Sequence, residues 1–279
     1  MIMSELIDTM TKMINDKMPR GEAEYMANDG FLHCSICGDP VQKTIKILGS
    51  DRIVRIMCKC RQQELEEKAR TEKVQEIERA KSVCFADTNM CKWCFENDDQ
   101  KRPDITRVMK NYSDNFQEFL QEGKGIIMYG SVGTGKTYFA ACVANRLIES
   151  GYDVLMTNFS KIVNQIQSSF DARKEFIESL NRYSLLIIDD LGAERKSEYM
   201  QEIVFSVIDA RYRAGKPLII TTNLTADEIK KPNDVAYARI YDRILERCFP
   251  LKVDGYSRRR QAVKDTFQEM RERLGVVGA

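Results

Sequence analysis

A chain of 279 residues is long enough for one large domain and one smaller one, at roughly 100–200 residues per domain. Its 43 Lys and Arg offset 42 Asp and Glu, and the formal charge of +1 excludes overall attraction to nucleic acid or membrane, so any polyanion must be met by a local patch. No run approaches the ~18 apolar residues of a membrane span, and nine cysteines, an odd count, speak for metal before disulfides in a soluble, cytoplasmic chain.

The start, Met1-Ile-Met-Ser-Glu-Leu-Ile-Asp8, carries acids where a signal peptide needs a basic region. Leu6, Ile7, Met10, Met13 and Ile14 recur at helical spacing and predict a short amphipathic helix that caps a domain or docks a partner, followed by a polar stretch with Pro19 and Gly21. Next come Cys34-Ser-Ile-Cys37 and Cys58-Lys-Cys60, separated by an alternating, strand-like stretch through Ile45, Ile47, Ile53 and Ile56. Four thiolates so spaced suit a closed tetrahedral Zn²⁺ site, structural rather than catalytic. The alternative is reduced cysteines that only pack. Because Cys58-x-Cys60 is a tight pair, His33, the only histidine, is the substitute ligand beside Cys34. Residues 1–62 are therefore expected to form an N-terminal helix and a zinc-ribbon-like domain that needs its metal to fold.

Residues 63–105 read as a charged helical linker, with Glu64/Lys68 and Glu66/Arg70 at i,i+4, pairs worth ~0.2–0.5 kcal/mol each. Cys84 follows with Cys91-Lys-Trp-Cys94, which imitates a metal pair but has no second C-x-x-C beside it, so these cysteines read as packing residues, with a second metal site as the alternative. Trp93-Cys94-Phe95 begins the core of the next domain.

Residues 106–279 carry one α/β pattern. A helix through Val108, Tyr112, Phe116 and Phe119 leads to Gly123 and a short apolar strand, Gly125-Ile-Ile-Met-Tyr129. Gly130-Ser131-Val132-Gly133-Thr134-Gly135-Lys136-Thr137 then matches G-x-x-x-x-G-K-[ST], and a helical run over 138–148 follows. In such a loop the glycines let consecutive N–H groups point at one anion, Lys136 reaches the β and γ phosphates, and the Thr137 hydroxyl ligates Mg²⁺. The helix dipole favours the same charge. The Trp93-Cys94-Phe95 cluster is a secondary candidate for lying near the base of that nucleotide.

A second strand covers 152–157, and helices are predicted over 160–170 and 173–180. Ser184-Leu-Leu-Ile-Ile-Asp189-Asp190 is a buried strand ending in an acid pair. Beside a phosphate loop, Asp189 would hold Mg²⁺ through its waters and Asp190 would orient the attacking water. A helix over 198–213 precedes the strand Pro217-Leu-Ile-Ile-Thr-Thr222, whose following Asn223 can reach the γ-phosphate or its water, unless it only starts a turn. Arg239, Arg243 and Arg247 share one side of a helix, as surface salt-bridge arginines also do. Asp254-Gly-Tyr-Ser-Arg258-Arg-Arg260 begins a C-terminal helix, and residues 252–273 carry seven Lys/Arg against four Asp/Glu, a local basic face.

The phosphate loop, Leu-Leu-Ile-Ile-Asp-Asp, Thr-Thr-Asn, Arg-Ile-Tyr-Asp-Arg and Gly-Tyr-Ser-Arg-Arg, in this order and spacing, resemble an AAA+ ATPase. Within that class the set is similar to the bacterial helicase-loader branch, DnaC and DnaI, related to IstB-type ATP-binding proteins. The cysteine-rich N-terminal region is similar to that of loaders from Gram-positive bacteria, their phages and mobile elements. The resemblance implies an AAA+ P-loop NTPase domain, a parallel sheet between helices, preceded by a small zinc-binding domain and a helical linker. It implies Lys136 and Thr137 as Walker A, Asp189 and Asp190 as Walker B, Asn223 as sensor 1, Arg243 as arginine finger and Arg259 as sensor 2, with ATP, Mg²⁺ and Zn²⁺ as cofactors. It further implies a replicative DNA helicase and single-stranded DNA as partners, the latter met by Phe170, Arg173, Lys174 and the basic C-terminal face, and self-assembly through the ATP site.

Two departures stand out. Asp190 occupies a position that is Glu in many AAA+ proteins, which implies slow, switch-like hydrolysis. There is little chain after Gly-Tyr-Ser-Arg-Arg for a full helical lid, so Arg258 and Arg260 rival Arg259. The competing readings are an IstB-type ATPase regulating DNA transposition, a P-loop kinase acting on a small molecule, and a zinc-stabilised adaptor with a structural nucleotide.

Overall fold

The computed structural model describes residues 2–18, 23–85, 87–166, 170–194, 197–232 and 234–274. Pro19 and Gly21 of the predicted polar stretch lie outside them. The chain divides into two compact units, 1–76 and 77–279, with the division falling inside one long helix. The segment read as a linker over 63–105 is thus helix in its first half and, from Ile77, part of the second unit.

The first unit runs α1 (Ile2–Lys17), β1 (Glu24–Met26), β2 (Leu32–Cys34), β3 (Gln42–Ile47), β4 (Ser50–Arg55) and the start of α2 (Lys59–Cys84). β1 and β2 form one antiparallel pair and β3 and β4 another. The second hairpin turns through Leu48 (φ 48°) and Gly49 (φ 83°), the two left-handed residues that a tight hairpin matching strand twist requires. That register sets Ile47 opposite Ser50, buries Ile47 and Val54, and leaves Ile53 outward. α1 is tied to β4 where Asn15 Oδ1 accepts the Arg55 amide at 2.8 Å and Asp8 pairs with Arg52 at 3.2 Å. It buries Ile7 but exposes Leu6, Met10 and Met13. α2 is charged and exposed along most of its length, with Arg61 bonded to Glu64 at 2.7 Å and Gln62 to Glu66 at 2.9 Å.

In the second unit two short 3-10 turns (Thr88–Lys92 and Phe95–Asn97) precede α3 (Pro103–Asp114), α4 (Phe116–Glu122), β5 (Gly125–Tyr129), α5 (Lys136–Glu149) and β6 (Val154–Thr157). Then come α6 (Phe159–Gln165), α7 (Phe170–Ser179), β7 (Leu185–Leu191), α8 (Glu198–Arg213), β8 (Leu218–Thr222), α9 (Ala226–Lys230), α10 (Val235–Arg247), β9 (Cys248–Lys252) and α11 (Arg258–Leu274). All five strands are parallel in the order β6-β7-β8-β5-β9.

Parallel sheets covered on both faces carry continuous apolar strands rather than alternating ones. β7 conforms, with Leu185 through Ile188 all buried. One face packs on Phe139, Val143 and Leu147 of α5 with Met109 and Phe116 behind them, and the other on Ile203, Val204 and Val207 of α8 with Ile240 and Ile244 of α10. Each such side chain contributes roughly 1.5–3 kcal/mol of burial. Gly125 is obligatory where β5 meets β8, because a Cβ there would lie 1.8 Å from the Leu218 carbonyl oxygen. β9 was not foreseen. It carries Pro250, which lacks a ladder N–H and is tolerated because β9 pairs only with β5, at the edge.

Candidate functional site

β5, β7 and β8 deliver their carboxyl ends to one cleft of about 320 Å³, lined by the phosphate loop, Asp189, Asp190, Thr221 and Asn223, with Trp93, Tyr138 and Arg258 to the side. Gly130, Gly133 and Gly135 have φ of 130°, 83° and 101°, a path that side chains rarely follow and that turns successive amides toward one point. α5 opens directly from Gly135 with no side chain capping its first turn, so an anion can satisfy those amides. Lys136 Nζ, buried, donates to the carbonyls of Gly130 at 2.8 Å and Ser131 at 2.7 Å and so lies folded across the loop.

The acid pair is held by hydroxyls. Asp189 Oδ1 accepts Thr137 Oγ1 at 3.0 Å and Thr221 Oγ1 at 2.6 Å. A hydroxyl and a carboxylate in contact, both hard oxygen donors, fit Mg²⁺ chemistry. The β7–β8 ladder is irregular between Ile188 and Leu191, and there Asp190 adopts φ 61°, a conformation costing about 1–3 kcal/mol in a residue other than glycine. The Asp190 amide donates to Thr221 Oγ1 at 2.9 Å, and Asn223 Nδ2 donates to Asp190 Oδ1 at 2.7 Å.

Lys136, Thr137, Asp189, Asp190 and Asn223 are thus brought together in one cleft. Arg243 lies elsewhere: it pairs with Asp209 at 2.9 Å and stacks 4.6 Å over the Phe205 ring. The Arg259 side chain is outside the described residues. Arg258 lines the cleft, with its amide donating to Gly133 O at 2.9 Å and its guanidinium near Asp98 (3.4 Å), Asp99 (3.0 Å) and the Phe139 ring (5.5 Å). Ser257 leaves no room for a Cβ on Gly133, since the two would approach to 2.2 Å. Sequence reasoning missed Thr221 as the clamp on both acids and Asp98 and Asp99 as partners of Arg258. The threonine pair before Asn223 was the available signal.

In the first unit the sulfurs of Cys34, Cys37, Cys58 and Cys60 lie within 4.8 Å of one another, with Cys34–Cys60 at 3.6 Å and Cys58–Cys60 at 3.4 Å. Sulfurs set tetrahedrally about one zinc stand about 3.8 Å apart, so the quartet fits. Amides of Cys37 and then Ile36 pull the Cys34 thiol down, while burial holds the Cys58 thiol up and the neighbouring sulfurs hold Cys60 up, so in the metal-free quartet Cys34 loses its proton first. His33 as substitute ligand is corrected: Nδ1 meets Gly38 O and Nε2 meets Asp29 Oδ2, each at 2.8 Å. Cys84 packs in the second unit's core, where burial pushes its thiol up to about 12.

A five-stranded parallel sheet with a phosphate loop after β5 and an acid pair on β7 defines a P-loop nucleotide-binding domain with the AAA+ fold. The chain belongs to the family of IstB-like ATP binding proteins, whose model matches residues 65–266. It is 28% identical to the replicative helicase loader DnaI of Bacillus subtilis over 167 residues, 56% of this chain and 52% of that protein. An insertion sequence ATP-binding protein of Sinorhizobium fredii is 31% identical over 150 residues (50% and 49%), and the Escherichia coli loader DnaC 27% over 132 (46% and 53%). The chain thus spans about half the length of these curated relatives. Crystal structures of DnaI and of the DnaC helicase loader share the fold, with TM-scores of 0.53 and 0.52 at 23% and 22% identity, covering 64% and 60% of this chain and 99% and 100% of theirs. Among the described residues no helix is long and apolar enough to cross a membrane.

Proposed function

We propose that the chain is an ATP-dependent loader of a replicative DNA helicase, acting in the cytoplasm at the initiation of DNA replication. Residues 130–137 hold the triphosphate, and Thr137 and Asp189 are the residues that would carry Mg²⁺. That ion would offset the charge of the β and γ phosphates. Asp190, positioned by Asn223 and Thr221, orients the attacking water, and its short side chain keeps turnover slow. Arg243, held away from its own cleft by Asp209 and Phe205, completes the site of a neighbouring copy, which couples hydrolysis to self-assembly. Of the residues read as meeting single-stranded DNA, Arg173 pairs with Glu202 at 3.1 Å and Lys174 with Glu178 at 4.0 Å. The Phe170 side chain is outside the described residues, and in the basic stretch over 252–273 Lys252 pairs with Asp254 at 2.7 Å and Arg258 with Asp98 and Asp99, so both stretches remain candidates for that contact.

The observation that carries this reading is the four-cysteine unit ahead of the ATPase core, which suits a domain that grips the helicase. The test is capture of the host's replicative helicase by the full chain, with and without ATP. Retention that ATP modulates is expected, and no retention in either condition contradicts the reading. The 31% identity to an insertion sequence ATP-binding protein favours a second reading, an ATPase regulating DNA transposition. A chain that engages a transposase and ignores the helicase would establish it.

A further inference from the structure

We infer that Trp93 is the platform on which the base of the bound nucleoside triphosphate stacks, an assignment that rests on the nucleotide site proposed above. Trp93 is the sole tryptophan of the chain, and it lines the cleft that holds Lys136, Thr137 and Asp189. It stands well ahead of the phosphate loop in sequence, and α5, the helix that the loop opens into, fixes it there. Buried Asn145 donates its side-chain amide to the carbonyls of Trp93 at 2.9 Å and Met90 at 2.7 Å. Immediately after the loop, in the first turn of α5, the Tyr138 hydroxyl donates to Cys94 O at 2.7 Å. The 3-10 turn before Trp93 is capped by Asp87, which accepts the Asn89 amide at 2.9 Å, and is closed by the Trp93 amide on Met90 O at 3.2 Å. The helix that presents the phosphate amides therefore also sets the distance from phosphates to indole.

The ring is half-buried, tilted 43° to Tyr138 with centroids 5.6 Å apart. Val132 of the phosphate loop lines the same cleft and is exposed. The Tyr138 hydroxyl and the carbonyls of Trp93 and Cys94 are already bonded within the protein. A base entering this end of the cleft meets an aromatic face and an aliphatic side chain, with those polar groups turned to other partners. Recognition here is by stacking, which every base supports and which a purine, with the larger π-face, supports best. The site accordingly takes purine nucleoside triphosphates ahead of pyrimidine ones and discriminates weakly between ATP and GTP through this residue.

Trp93 emission in the full zinc-loaded chain is the readout, titrated with ATP and, separately, with inorganic tripolyphosphate, while calorimetry reports binding of each. ATP is expected to change the emission at saturation far more than tripolyphosphate does. Trp93→Ala is expected to weaken ATP about tenfold or more while leaving tripolyphosphate unchanged, and Trp93→Phe to keep most of the affinity. ATP that binds without altering the emission, or that binds Trp93→Ala as tightly as the parent, overturns the platform and leaves the phosphate site standing. Absence of binding by either probe overturns the site and the platform together. Should Trp93→Ala lose tripolyphosphate as well, its fold has failed, and the emission of the unaltered chain decides.

Discussion

The Thr221 hydroxyl donates to Asp189 at 2.6 Å, and its oxygen accepts the amide of Asp190 at 2.9 Å. One side chain on β8 thereby holds both acids of β7, including Asp190 in its left-handed conformation. Thr221→Val keeps the shape and removes both the donor to Asp189 and the hydroxyl that accepts the Asp190 amide. Nucleotide affinity should change by no more than a few-fold while turnover falls on the order of ten- to a hundredfold, read by steady-state ATPase assay beside calorimetry. Unchanged turnover would show that the clamp does not position the acids.

Arg243 should separate binding from turnover. Its guanidinium is engaged by Asp209 and Phe205 on α8 and does not line its own cleft. Arg243→Ala is expected to bind ATP as the parent does, to lose turnover and to lose nucleotide-dependent assembly by analytical ultracentrifugation. A mixture with a chain that carries Arg243 but has Lys136→Ala should recover part of the turnover, because each partner supplies what the other lacks. An Arg243→Ala chain with intact activity would remove the in-trans assignment.

The four-cysteine unit should carry about one zinc per chain, measured by elemental analysis, and Cys58→Ser should lose it. Among the described residues, short strands and a small apolar cluster of Cys34, Val41 and Cys58 surround the sulfurs, so metal binding and folding are expected to be coupled in this unit. Chelation is expected to unfold residues 24–58 by hydrogen exchange, whereas the sheet of the second unit keeps its protection. Metal-free protein with unchanged exchange in both units would contradict a structural zinc.

Arg211 is a stability test independent of function. It is buried, and its guanidinium donates to the carbonyls of Tyr183 (2.9 Å), Ser184 (2.9 Å) and Pro217 (2.9 and 3.2 Å), joining α8 to the starts of β7 and β8. Desolvation pushes its pKa down to about 10, so it remains charged at neutral pH. Arg211→Leu orphans several carbonyls at once and should cost about 2–4 kcal/mol in denaturant unfolding. A loss below about 0.5 kcal/mol would mean that water replaces those bonds.

The legible parts of the site were the local ones. The phosphate loop announces itself because strand, glycine turn and helix are contiguous, and the acid pair because four apolar residues run directly into it. The cysteine quartet was readable from spacing, whereas dismissing His33 took the positions of Asp29 and Gly38 around its ring. Thr221 and Thr222 look equivalent in sequence. The irregularity between Ile188 and Leu191 decides that Thr221 faces the acids while Thr222 donates to Leu191 O at 2.6 Å. The place of Arg258 in the cleft was not readable because its partners, Asp98 and Asp99, lie more than 150 residues earlier in the chain. β9 was hidden by Pro250, which argues against a strand until an edge position makes it harmless.

The central claim is that this cleft clasps a triphosphate, and calorimetry of the full zinc-loaded chain with ATP and magnesium tests it most directly. The account predicts saturable binding of one nucleotide per chain that Lys136→Ala abolishes or weakens at least a hundredfold, on the order expected for removing a charge-assisted contact to phosphate. No binding by the unaltered chain, or equal binding by Lys136→Ala, would contradict it.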